Sequence, residues 1–339
     1  MLKIITGCFG LTLCCLYWTS TPTELWTLDT PLQEVQASLG EALPEHFLSP
    51  DPELVRMGEE LVKDGRTIGP DGKRSGYISK YYVCTTCHNL SIEDPDLRVS
   101  DPEARLDYAV AHQLPFLQGT TFKGIVNRET WYNDDYVRKY GDEKIEIAHE
   151  DLREAIQLCA IECSQGRPMV DWEIEAVLAY YWTLEYTLAD LGFSPEELAK
   201  LNAWSQNPEQ KDALKSWLRS FYNTKSPAHF YDAPASKAEG YPGLVGDPEK
   251  GQALYERSCL HCHHPEGVSH YLLDDTKMSF QHLDRMMEKD SHFSLYQIVA
   301  YGTYAIPGHK PYMPHYPEER MNQQQVEDLR AYIELRAHQ

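Results

Sequence analysis

Past its first eighteen residues, this chain of 339 has no apolar run approaching the roughly 20 residues needed to cross a bilayer, so a multi-span channel or transporter is excluded. Positive charge is scarce. Lys and Arg total 31 against 52 Asp and Glu, for a formal net charge of −21. Nucleic acid is therefore excluded as a partner, because phosphate contacts need clustered cations. Period-two alternation is also scarce, which argues against sheet architectures. Nor do the nine cysteines leave any for a long-range disulfide framework. Three lie near the N-terminus (Cys8, Cys14, Cys15), four form two C-x-x-C pairs, and Cys159 and Cys163 remain.

What is present suits a soluble protein of more than one domain. Single cores seldom grow beyond roughly 250–300 residues, so this length suits two domains. The acidic surface fits solubility, and it equally fits redox partner proteins that present a basic docking patch. At the N-terminus, Lys3 precedes the apolar run from Ile4 to Trp18, the pattern of an export signal. Residues 1–21 are read as an export signal or N-terminal anchor, and the location as periplasmic or otherwise extracytoplasmic. No A-x-A cleavage site follows. Ile5-Thr6-Gly7-Cys8 looks like a lipoprotein box with only two apolar residues before it, so a membrane tether through this segment stays open.

Two segments carry chemistry. Cys84-Thr85-Thr86-Cys87-His88 and Cys259-Leu260-His261-Cys262-His263 each read C-x-x-C-H, the attachment signature for c-type haem. Two thiols three residues apart lie on one helical turn, where each can bond a haem vinyl group. The histidine that follows then lies under the ring, with a nitrogen able to bind iron. A thioredoxin-type pair would sit near a βαβ pattern, and none is found. A zinc site would place its second pair some 15–20 residues on, whereas Cys84 and Cys259 are 175 apart. Two covalently bound haems are expected, on Cys84, Cys87 and His88 and on Cys259, Cys262 and His263.

Both motifs sit in one repeated frame. Before the second, Asp247 can cap a helix, Pro248 suits its first position, and Gly251 and Tyr255 share a face. Before the first, Ser49 to Lys63 has the same Pro-led start, with Gly58 placed to admit another helix closely. Each frame closes on an amphipathic helix, Asp171 to Tyr186 and Asn322 to Ala337, each with an Ala-Tyr pair. Between them, short helices are expected at Pro195 to Trp204 and Pro208 to Phe221, then a loop from Ser226 to Gly246. The expected fold is all-α: two cytochrome c-like domains, 49–187 and 246–339, joined by a partly helical linker, 188–245.

Residues Gly246 to Gln339 resemble the class I cytochrome c family across the whole segment: helix, C-x-x-C-H, Tyr301-Gly302 turn, Met313-Pro314, closing helix. The resemblance implies His263 and Met313 as the axial pair of the second haem, with His309 and His315 as fallback ligands. Met278, Met286, Met287 and Met321 read as helix or core residues. The first haem is less direct. Met169 lies 11 residues before Tyr180, against 19 from Met313 to Tyr332, while Cys159 and Cys163 lie 21 and 17 before it. A loop spanning the same macrocycle therefore fits a cysteine better. Leu152 to Tyr180, with Cys159, Gly166-Arg167-Pro168, Glu173 and Ala179-Tyr180, also looks like the segment bearing the distal cysteine in thiosulfate dehydrogenases and related sulfur-oxidation cytochromes. That resemblance implies Cys159 as an axial thiolate, and as the labile ligand in an enzyme. It covers roughly 30 residues and has no counterpart for Cys163 or for Ser91 to Asp151. Three readings stay open: an axial thiolate from Cys159 or Cys163, a local Cys159–Cys163 disulfide, or ligation by Met169 with both cysteines buried.

The expected function is electron transfer outside the cytoplasm, from haem 1 to haem 2 to an acceptor protein. A thiolate lowers an iron's potential and methionine raises it, which would make that direction downhill. One alternative is a thiosulfate dehydrogenase-like oxidoreductase in which Arg128 or Arg167 holds a small sulfur oxyanion. The blander role for both arginines, and the preferred one, is pairing with a haem propionate or a surface carboxylate. Another alternative is a haem-bearing subunit of a larger respiratory complex, suggested by the unaligned Ser91 to Asp151.

Overall fold

The computed structural model describes residues 26–287, 289, 293–303 and 311–339. The N-terminal segment with Cys8, Cys14 and Cys15, and His309, lie outside them. Helices are the regular elements of the described residues, with no strand among them and only two isolated bridges, Pro31 with Thr187 and Ile68 with Arg74. The all-α expectation holds.

Each half is organised by a crossing of two helices that its sequence makes close. In the first, Asp51 caps the Pro52–Asp64 helix, its Oδ1 accepting from Glu53 N (3.0 Å) and Leu54 N (3.2 Å). Met57, Leu61 and Val62 face Ala176, Val177 and Tyr180 of the Asp171–Trp182 helix. In the second, Asp247 caps the Pro248–Leu254 helix (Glu249 N, 2.9 Å), which crosses the Gln323–His338 helix over Val326, Leu329 and Ile333. A Cβ on Gly58 would lie 1.9 Å from the Ala176 carbonyl oxygen and 2.8 Å from Tyr180 Cβ. One on Gly251 would lie 2.0 Å from the Asp328 carbonyl oxygen and 2.8 Å from Tyr332 Cβ. The near-identical clearances show that the repeat read from sequence is a repeat in space.

Two segments behave differently from expectation. Residues 188–222 do more than connect. Leu188, Phe193, Leu201, Leu214 and Leu218 form a third buried cluster with Trp26, Leu32, Val35 and Leu39, from a stretch to which the sequence assigned no element. Asn202 clasps the Trp26 main chain from both sides, at 2.9 and 3.1 Å. The expected Pro208 to Phe221 helix is a 3-10 turn, Pro208–Gln210, followed by an α-helix, Lys211–Arg219.

The unaligned stretch after the first motif also has a structural role. Its helix Pro102–His112 puts Leu106 and Ala109, with Phe116 beyond it, into the second cluster rather than the first. Glu93 and Arg105, each 1% exposed, meet Arg320 there: the Arg320 guanidinium donates to Glu93, and Arg105 Nη1 donates to the Arg320 carbonyl at 2.9 Å. Arg105 Nη2 and Arg320 Nη2 donate to the carbonyls of Leu117 (2.6 Å) and Gly119 (2.8 Å). One buried carboxylate thus faces two guanidiniums from opposite ends of the chain, and its pKa is held below the usual range because their attraction outweighs its burial. Removing one partner of such a network leaves buried charge uncompensated. Glu93→Gln is expected to cost about 3–5 kcal/mol, read as a lower urea midpoint with an unchanged slope.

Candidate functional site

The two C-x-x-C-H segments line two cavities, of about 190 and 520 Å³. Cys84, Cys87 and His88 are on the first, and Cys259, Cys262 and His263 on the second. In each, the imidazole Nδ1 is 2.6 Å from a main-chain carbonyl oxygen: Thr120, 32 residues on, for His88, and Tyr271, 8 residues on, for His263. A carbonyl can only accept, so Nδ1 carries the proton and Nε2 is left with a lone pair, as a metal-binding imidazole requires. Burial favours the neutral ring, pushing His88 down to about 4 and His263 down as well. Phe122 stacks on His88 with centroids 4.3 Å apart.

Glycine makes room for both motifs. A Cβ on Gly119 would sit 2.6 Å from both the Cys87 carbonyl oxygen and His88 Cε1, and one on Gly267 2.3 Å from the Cys262 carbonyl oxygen. The four attachment thiols are pushed up by burial, Cys84 and Cys262 to about 11, Cys259 to about 12 and Cys87 further still. That is the opposite of the depressed pKa a nucleophilic redox pair needs. Among the described residues, no group of three or more His, Cys, Asp or Glu is arranged to hold a metal ion, so the zinc reading gains nothing.

In the second cavity, Met313 leaves a loop fixed by Thr303, whose N donates to the Met313 carbonyl (2.8 Å) and whose Oγ1 accepts from Met313 N (2.6 Å). Gly302, at φ +67°, passes so close that a Cβ would lie 2.5 Å from the Met313 oxygen. Met286, in the Lys277–Met287 helix as the sequence reading had it, and Met321 also line this cavity. Met287 and Met321 are buried, while Met278 is exposed. His315 is corrected: it lines the first cavity, not the second for which it was a fallback ligand.

Cys159, Cys163 and Met169 all line the first cavity. Asp151 caps the Leu152–Leu158 helix, which runs into a π-helical turn over Cys159–Cys163, closed by Ser164 N donating to the Cys159 carbonyl at 2.9 Å. Such turns add a residue to a helix and recur at functional sites. Tyr140 Oη is 3.2 Å and Tyr132 Oη 3.7 Å from Cys163 Sγ. The two thiols are hydrogen-bonded to each other. That bond first, then the Lys139 cation and the two tyrosine hydroxyls, brings Cys163 down to about 6 and leaves the proton on Cys159. Sequence gave no hint of this tyrosine cage, because Tyr132, Tyr136 and Tyr140 lie in the stretch that aligned with nothing.

The arginines part company. Arg167 is taken by the chain: its guanidinium donates to Glu173 at 2.6 and 2.8 Å and to the Gly76 carbonyl at 2.9 Å, pinning the Gly166-Arg167-Pro168 loop to the Asp171–Trp182 helix. The proposed anion role is withdrawn for it, since the fork is filled by a carboxylate of this chain. Arg128 lines the first cavity, and no hydrogen bond or ion pair among the described residues holds its guanidinium. It is suited to an acid group on whatever fills that space.

The cavities meet. Tyr82, Gln118, Tyr312 and Pro314 line both. The Tyr82 hydroxyl donates to the Tyr312 carbonyl, Tyr312 Oη donates to the Cys163 carbonyl at 2.8 Å, and Gln118 Nε2 donates to Cys87 Sγ at 3.0 Å.

Residues 248–335 match the Cytochrome c family model. This cytochrome c match spans the second cavity's motif, Met313 and the closing helix, and gives the C-terminal segment a class I-like cytochrome c domain, with covalent haem iron and electron transfer as its implied chemistry. No curated protein and no solved structure matches the chain. Both cavities fit such a group by donor set: paired thiols, an imidazole with free Nε2, and a sulfur-bearing wall. Gly119→Ala is expected to cost about 1–3 kcal/mol, because the added methyl must displace the His88 ring. Gly76→Ala, whose nearest contact is 3.8 Å away, should leave the urea midpoint unmoved.

Proposed function

We propose that the chain is a dihaem c-type cytochrome carrying electrons outside the cytoplasm, with haem 1 on Cys84, Cys87 and His88 and haem 2 on Cys259, Cys262 and His263. The observation that carries this reading is the repetition of the same imidazole-to-carbonyl bond, 2.6 Å in both, at the rims of two cavities that each C-x-x-C-H lines. Bound at these sites, the haems would supply one-electron iron chemistry. The side chains do the rest. Met313 offers a thioether to the second site, and Cys159, Cys163 or Met169 offers sulfur to the first. A thiolate favours ferric iron and a thioether ferrous, so with a cysteine at the first site electrons would run from the first site to the second. The wall of Tyr82 and Tyr312 keeps the two within reach of each other. Support for export comes from the apolar N-terminal run, and support for a cationic protein partner from the net charge of −21. No helix among the described residues is long and apolar enough to cross a membrane.

A second reading, an oxidoreductase acting on a small sulfur oxyanion, is favoured by the Cys163 thiol under Tyr140 and Tyr132 and beside Lys139. The stretch that suggested the subunit reading packs on both of this chain's own cores, with Leu106, Ala109 and Phe116 in the second and Phe122, Val126, Trp131 and Ile145 in the first.

Acid denaturation and solvent extraction should leave two porphyrins on the chain, counted by alkaline pyridine spectra and intact mass. One porphyrin, or none, ends the dihaem proposal. Electron paramagnetic resonance of the wild type, Cys159→Met and Cys163→Ser separates the three sulfurs: a thiolate-type low-spin signal lost in one variant assigns that cysteine to the iron, and no such signal assigns Met169. Thiosulfate with a ferricyanide-type acceptor then decides the second reading, which fails if neither iron is reduced.

A further inference from the structure

Two cysteines line the first cavity where one ligand is needed. Cys159 and Cys163 stand four apart on a single π-helical turn and so point to one side of it. Both are unbridged. Neither is an attachment cysteine, and a purely structural pair would have no need of three polar groups, Tyr140, Tyr132 and Lys139, gathered at one sulfur. Neighbouring side chains on a helix have Cβ atoms about 5–6 Å apart, and a disulfide wants about 3.5–4.5 Å. Closure therefore requires a tightening of about 1–2 Å in a turn that already departs from α geometry.

We propose that Cys159 and Cys163 are a redox-active dithiol, so that the protein handles electrons in pairs at this site as well as singly. Two S–H bonds break, one S–S bond forms, two protons leave to solvent through the open side of the cavity, and two electrons go to one-electron ferric acceptors. Under the dihaem reading, on which this rests, and with Met169 as the sulfur at the first site so that both thiols stay free, those acceptors would be the two bound irons, and one closure would match the capacity of one molecule. The disulfide is opened again by thiol–disulfide exchange with a thiol-bearing reductant, which delivers the next pair. A bridge within one helical turn is strained, and strained bridges are the readily reduced ones. The Tyr312 hydroxyl on the Cys163 carbonyl ties this turn to the loop bearing Met313, so the dithiol lies against the wall common to both cavities.

The test uses the whole haem-loaded protein. Fully reduced anaerobically, freed of reductant and titrated with ferricyanide, it should give up twice the electrons of its irons alone, and Cys163→Ser should give up only those of the irons. Iodoacetamide after denaturation should label Cys159 and Cys163 in the reduced protein and neither in the oxidised protein, with an intact mass lower by two hydrogens. This labelling needs no variant and stands if Cys163→Ser does not fold. Wild-type protein that yields only the electrons of its irons, with both cysteines still labelled after oxidation, overturns the dithiol. Fewer than two porphyrins by the pyridine spectrum would instead sink the reading beneath it.

Discussion

The structure turns on one seam, where the Tyr82 hydroxyl donates to the carbonyl of Tyr312. Tyr82 stands two residues before the first C-x-x-C-H, and Tyr312 one residue before the methionine of the second cavity. Both are buried, so neither polar group can turn to water without loss. The bond therefore fixes the loop of Met313 from the opposite half of the chain. Tyr312 passes the constraint on through its own hydroxyl to the Cys163 carbonyl. Below the seam, Ser258 Oγ donates to the Phe116 carbonyl at 2.8 Å, and Phe116 N to the Arg257 carbonyl at 3.0 Å. The region just before the second motif is thus hydrogen-bonded to the stretch that follows the first.

This explains how two halves with one plan come to hold their imidazoles so differently. His263 finds its carbonyl 8 residues on, within its own loop, whereas His88 must wait 32 residues for Thr120. The longer return passes through the Pro102–His112 helix, and it is steadied by the guanidiniums of Arg105 and Arg320 on the carbonyls of Leu117 and Gly119. Glu93 holds those cations, and Gly119 lets the returning chain lie against the His88 ring. The first half thus borrows Arg320 from the second to orient its own histidine.

Much of this was legible in the residues. C-x-x-C-H, the Asp-Pro helix starts and the glycines at 58 and 251 depend on contacts within a few residues or on one helix face, and local pattern reports such contacts well. The closing helices were read to within a few residues. Met313 was legible because Gly302 and the prolines mark its loop. What escaped was long-range. The clasp of Asn202 on Trp26, the tyrosines over Cys163, and the move of His315 to the other cavity join positions far apart in sequence, and no periodicity records them. Arg167 could have been read: a buried glutamate six residues on is a nearer partner than any diffusing anion.

The cysteines divide again in structure, and the division bears on chemistry. The four in C-x-x-C pairs are held as neutral thiols by burial. Cys163 is as deeply set, yet it is stabilised as an anion, because a second thiol, an ammonium and two phenols converge on it. Burial alone therefore cannot decide what these sulfurs do; the donors around them do. A site meant only to pack would leave such donors to water. Their gathering at one sulfur, on the turn that touches the seam, makes the first cavity the place where a change in sulfur chemistry would be felt by the Met313 loop.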